Sequence, residues 1–155
     1  MRRDSRLSGV LHVLLHMAEA KHPITSEALA QAMNTNPVVV RRVMAGLRDA
    51  GMVRSEKGHG GGWQIACDLA TTSLHDVYVA IGAPYPFALE NRNESPGCLV
   101  ELAVNEALDA AFEQAQALLI SELKQLSLAT LAEKFHAHYA RVGGPSLEHM
   151  HDPLI

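Results

Sequence analysis

A chain of 155 residues, 48% hydrophobic and 19% charged, suits one domain or a small domain with an appendage, and its composition excludes a low-complexity disordered chain. Two cysteines make no disulfide framework, no apolar run reaches the roughly 18 residues of a membrane span, and MRRDSRLSGV opens no apolar signal core; a cytoplasmic protein with reduced thiols and no membrane partner is expected. The net charge of −4 hides a split: Met1 to Gly60 carries nine Lys/Arg against five Asp/Glu, while the rest carries four against twelve, so the first third suits an anion.

Leu7, Leu11, Leu14, Leu15 and Ala18 recur at helical spacing and predict a first helix from Ser5 to Ala20, ended by Lys21-His22-Pro23. A second, short helix from Ser26 to Met33 has Thr25 as N-cap and Glu27 in its first turn, with Ile24 and Leu29 placed as a hydrophobic staple. Asn36 and Pro37 then fit the N-cap and first position of a third helix, whose Val40, Val43, Met44 and Leu47 form one apolar stripe as far as Ala50, with Gly51 following as its C′ residue. Only Asn34 to Asn36 join the second helix to the third, so the two must cross steeply.

Strands over Met52–Glu56 and Trp63–Cys67 flank GHGGG, a hairpin pattern. This glycine run matches neither nucleotide-binding template, because no Gly-Lys-Ser/Thr closes it and no G-x-G-x-x-G opens a helix. Its glycines suit a slim reversal, with Trp63 and Ile65 anchoring the returning strand. Ser73 to Asp76 resembles a capping box for a fourth helix ending at Ile81. A loop over residues 83–97 leads to a long helix from Cys98 to Leu126. A last helix runs from Leu128 to Tyr139, and the tail from residue 141 is expected to be disordered.

The third helix carries the candidate chemistry. Opposite its apolar stripe it presents Val38, Arg41, Arg42 and Ala45, with Arg48 at the edge. Arginine can bond guanine or phosphate and valine can touch a thymine methyl, although the same pattern also describes a solvated face. The following hairpin, with Arg54, Lys57 and His59, makes the order that of a winged helix-turn-helix, a mainly α fold with a small β-hairpin. Thr35, Asn36, Pro37, Arg48, Lys57, His59 and Gly60 complete the candidate DNA-binding set, as groups that position the backbone or reach a minor groove. Residues 1–82 would form this domain, and residues 98–140 a dimerisation helix and C-terminal helix.

TNPVVVRRVMAGLRDAGMVRS, KGHGGGWQIA, SLHDVYVAIG and the lone Cys98 of NESPGCLVE together resemble the Rrf2 family of bacterial winged-helix transcriptional regulators, over about Leu7 to Phe135. The resemblance is strongest to its YwnA-like branch, whose members lack a complete cluster-binding set. It implies a homodimer, paired through the long helix. The residues agree: Leu108, Phe112, Ala115, Leu119 and Leu123 form one stripe, and Val100, Val104, Ala107, Ala111 and Leu118 an adjoining one.

Cluster-binding relatives use three cysteines around the loop before the long helix. Here only Cys98 stands there, so no iron–sulfur cofactor is expected. With Ser95 as N-cap and Pro96 at the first helical position, Cys98 would lie in a first turn that favours a thiolate, as a redox sensor or as an inert cysteine. His12 and His16 share a helix face without an evident third ligand, and His149 with His151 lies in the tail, so no metal site is assigned. No hydrolase or zinc-protease motif is present and an enzyme is not expected. Two readings stand: a dimeric repressor that answers a redox or small-molecule signal, and a winged-helix protein-interaction module that never meets DNA.

Overall fold

The computed structural model describes residues 5–87 and 97–142. Among the described residues, six helices and one hairpin follow in order: α1 (Arg6–Glu19), α2 (Ser26–Ala32), α3 (Pro37–Asp49), β1 (Val53–Glu56), β2 (Gly62–Ile65), α4 (Leu74–Ala80), α5 (Leu99–Gln125) and α6 (Leu128–Val142). The fold is the expected one, mostly helical with a two-stranded antiparallel wing.

Local chemistry sets the helix ends. The Thr25 hydroxyl accepts from the Ala28 amide, and the Asn36 side chain accepts from the Val39 amide, so both N-caps are filled. Between them, Asn34 adopts φ 50°, its amide donates to the Gln31 carbonyl and the Thr35 amide to the Ala30 carbonyl. This is a Schellman ending with asparagine in the left-handed position, which reverses the chain in a minimum of residues. The end of α3 repeats it, with Gly51 at φ 75° and the Met52 amide on the Leu47 carbonyl. At α4 the capping box forms with Asp as acid: the Ser73 hydroxyl accepts from the Asp76 amide while Asp76 accepts from Ser73. Those bonds from Ser73 hold the Asp76 carboxyl below the usual carboxylate range.

The core collects one face of each helix around α1. Val10, Val13, Leu14 and Met17 meet Leu29 of α2, Val40, Met44 and Leu47 of α3, Leu74 and Val77 of α4, and Leu128 at the start of α6. Gly46 lets α3 approach α4, since a Cβ there would sit 2.5 Å from the Ala80 carbonyl oxygen. Val43, read into the α3 stripe, is only half-buried at the edge of this core.

The wing pairs Val53 with Ile65, Arg54 with Gln64, Ser55 with Trp63 and Glu56 with Gly62. It does not hang free. Ile24, just ahead of α2, exchanges both backbone hydrogen bonds with Trp63, at 3.0 and 2.8 Å, and the buried indole Nε1 donates to Ser26 at 3.0 Å. A Cβ at Gly62 would sit 2.5 Å from the Ile24 carbonyl oxygen, so this approach requires glycine. At the tip, Gly58 and Gly60 take φ 98° and 79°.

Several expected boundaries move. Cys67 lies beyond β2 rather than on it, because the Asp68 turn bends the chain: Asp68 Oδ1 accepts from Ala70, and its carbonyl from Thr72. Cys98 is the N-cap of α5 rather than a residue of its first turn, and its side chain makes no capping bond. Ser95 and Pro96 lie outside the described residues. The last helix continues past Tyr139 to Val142, so residues 141 and 142 are helical rather than tail, and residues 143–155 lie outside the description.

Candidate nucleic-acid interface

The exposed surface of α3 is built by its cap and its stripe together. Asn36 and Pro37 start the helix, and burial of Val40, Met44 and Leu47 turns Val38, Arg41, Arg42 and Arg48 outward. Val38 is 70% exposed on this face. Because Ile24 and Ser26 hold Trp63, α2, α3 and the wing share one backbone scaffold.

The cations of this surface differ in what they already hold. Arg41 Nη2 donates to Glu27 Oε1 at 2.8 Å, linking α3 to α2. Arg48 folds onto its neighbour Asp49 at 3.0 and 3.2 Å. Arg54 lies across the wing, donating twice to Gln64 and standing 3.8 Å from Glu56. Arg42, Lys57 and His59 are exposed and have no intramolecular partner among the described residues. Exposed ion pairs are weak and exchange readily, so Arg41 and Arg48 remain able to meet an anion. Thr35 and Pro37 are half-buried at the turn, Asn36 uses its carbonyl oxygen as the cap, and Gly60 is exposed at the wing tip.

Glu27 escaped the sequence reading as a partner of this surface. Its place in the first turn of α2 explained it fully as a helix-dipole residue, and nothing local signals a contact fourteen residues away.

Away from this surface, α5 is 27 residues long, about 40 Å at 1.5 Å per residue, and Leu123 is its one buried residue. Of the apolar positions read as a pairing face, Val104, Ala107, Leu108, Ala111 and Ala115 are exposed. Leu119 is half-buried against the core and Phe112 stacks on Phe87 at 6.0 Å, so these two are partly engaged within their own chain. Leu99, Val100, Leu102 and Leu118 add exposed apolar surface, at 79%, 74%, 54% and 64%.

Cys98 is exposed at the foot of α5, and Cys67 packs at the edge of the core. His12 and His16 join Nε2 to Nε2 at 2.9 Å, but Glu19, the carboxylate on their face, is taken by His136 at 2.9 Å. Among the described residues no three His, Cys, Asp or Glu side chains gather as a metal site. Two cysteines on separate elements do not fit an iron–sulfur cluster held by thiolates. Among the described residues no helix is long and apolar enough to cross a membrane.

The family model described as "Rrf2: Iron-dependent Transcriptional regulator" matches residues 3–134. The chain belongs to the Rrf2 family. Among its relatives, YwnA of Bacillus subtilis (strain 168), an HTH-type transcriptional regulator by name, is 34% identical over 125 residues, covering 81% of this chain and 92% of YwnA. The structure of T. potens IscR superposes with a TM-score of 0.61 at 15% identity, over 86% of this chain and 88% of IscR. That of CymR, the global cysteine regulator of B. subtilis, gives 0.54 at 18% identity, over 86% of this chain and 98% of CymR. At these identities the two structures speak for the winged-helix fold. The family and the curated relatives are transcriptional regulators rather than enzymes.

Proposed function

We propose that this Rrf2 protein is a homodimeric repressor that reads a pseudopalindromic operator. The observation that carries the reading is the exposure of Val38 and Arg42 on the outward face of α3, together with exposed Lys57 and His59 at the wing tip; Arg42, Lys57 and His59 have no intramolecular partner among the described residues. Val38, Arg41 and Arg42 contact base edges or flanking phosphates. Thr35, Asn36, Pro37, Arg48, Lys57, His59 and Gly60 set the register on the backbone. A two-fold pair joined along α5, through Val104, Ala107, Leu108, Ala111, Phe112, Ala115 and Leu119, places two α3 helices about 34 Å apart, one turn of DNA. No metal or iron–sulfur cofactor takes part. A redox or small-molecule signal acts at the foot of α5, where Cys98 is exposed.

The test is anisotropy titration of duplexes recovered from genomic fragments, with and without mild oxidant. Affinity falls steeply as salt rises, and Arg42→Ala costs about 1–3 kcal/mol on the recovered site. Binding that ignores salt would instead favour an apolar protein-interaction module. Cys98→Ser abolishes the response to oxidant; a variant that responds like the wild type removes Cys98 from the mechanism.

A further inference from the structure

The ion pair between α2 and α3 has no evident work in the fold. Arg41 and Glu27 meet at 2.8 Å with side chains 56% and 62% exposed, so the pair adds little to stability. The left-handed Asn34 turn and the Asn36 cap already fix how the two helices join. The pair does, however, place a carboxylate beside the outward face of α3 that carries Arg41, Arg42 and Arg48. A bare carboxylate there would repel a polyanion.

Resting on the DNA-binding reading above, we infer that Glu27 is a positioning residue that sets the specificity of Arg41. One guanidinium N–H is spent on Glu27, and the remaining donors of the planar fork are still able to bond the two acceptors of a guanine edge. A phosphate competes differently. Drawing Arg41 onto the sugar–phosphate backbone breaks the pair and strands the Glu27 charge beside other phosphates. Arg41 thereby adds less to sequence-independent attraction than Arg42, which lies one residue on and has no intramolecular partner among the described residues. The carboxylate holds the guanidinium for reading and penalises gripping.

The experiment compares wild type, Glu27→Gln, Arg41→Ala and the double variant as full chains. The probes are a duplex of about 25 base pairs selected from a randomised pool and an unselected duplex of equal length, each titrated across a range of salt. Glu27→Gln should tighten binding to the unselected duplex by about 3- to 10-fold and steepen its salt slope by roughly 0.9 for each new phosphate contact. Affinity for the selected duplex should change less, so the ratio of selected to unselected binding falls. None of these changes should appear when Arg41 is already alanine. An unaltered ratio and slope in Glu27→Gln overturns the inference and leaves Glu27 as a helix-dipole residue. The same gain in the Arg41→Ala background also overturns it, by making Glu27 a general repulsive charge. A wild-type chain that binds neither duplex defeats the DNA-binding reading itself, which separates the two failures.

Discussion

His16 is a side chain whose protonation the fold opposes. Burial on α1 and the neighbouring His12 both push its pKa below the ordinary 6.5, and the 2.9 Å contact needs one ring to donate and the other to accept. The unfolded chain therefore binds the proton more readily. The stabilisation is complete above about pH 6.5 and is lost as pH falls through the lower folded value. Urea unfolding at about pH 7.5 and 5.5 should show a smaller acid loss for His16→Gln than for wild type; equal losses would place the acid sensitivity elsewhere. Asp76 works in the same direction at lower pH, because the bonds from Ser73 hold its carboxylate form. At this scale the caps were legible: Thr25, Asn36 and Ser73 act within three residues of the amides they satisfy. The Glu27–Arg41 pair was not, because it depends on how two helices cross.

Among the elements, the wing shows most directly what sequence patterns convey. The glycine run and flanking strands announced a hairpin, and the structure adds that β2 is joined at Trp63, near the turn, to Ile24 just ahead of α2. Gly62→Ala puts a methyl 2.5 Å from the Ile24 carbonyl oxygen and should cost about 1–3 kcal/mol as the wing is pushed off. Gly58→Ala meets open space and pays only for its left-handed φ of 98°, about 1 kcal/mol. Thermal unfolding of both variants checks the order; equal costs would mean that the wing tolerates separation from α2. Helix interiors were legible because apolar spacing repeats over several turns. Ends were less so. Nothing periodic marks where the Asp68 turn removes Cys67 from the strand. Good helix formers such as Ala140 and Arg141 carry α6 on to Val142, beyond the last aromatic of its apolar face.

For the whole molecule, the question is what covers α5. Its C-terminal end joins the body, where Ser127 bridges to Ser73 and Leu123 is buried, while Val104 and Leu118 stay 50% and 64% exposed. A helix this apolar and this bare is stable in water when another surface covers it. If α5 pairs two copies as proposed, Val104→Glu with Leu118→Glu should leave the helical content intact, shift sedimentation from dimer to monomer, and weaken operator binding by at least about 10-fold, since two half-sites are then bound independently. A dimer that survives both charges would move the interface elsewhere. The bridge between Ile24 and Trp63 also closes part of a sheet edge. A two-stranded ribbon ordinarily offers two open edges on which other chains can build a sheet. Here Ile24 occupies the outer edge of β2 at Trp63, and Arg54 and Glu56 put charge on β1. Addition of a further strand is thereby blocked on β2 at Trp63 and disfavoured on β1 by its charges.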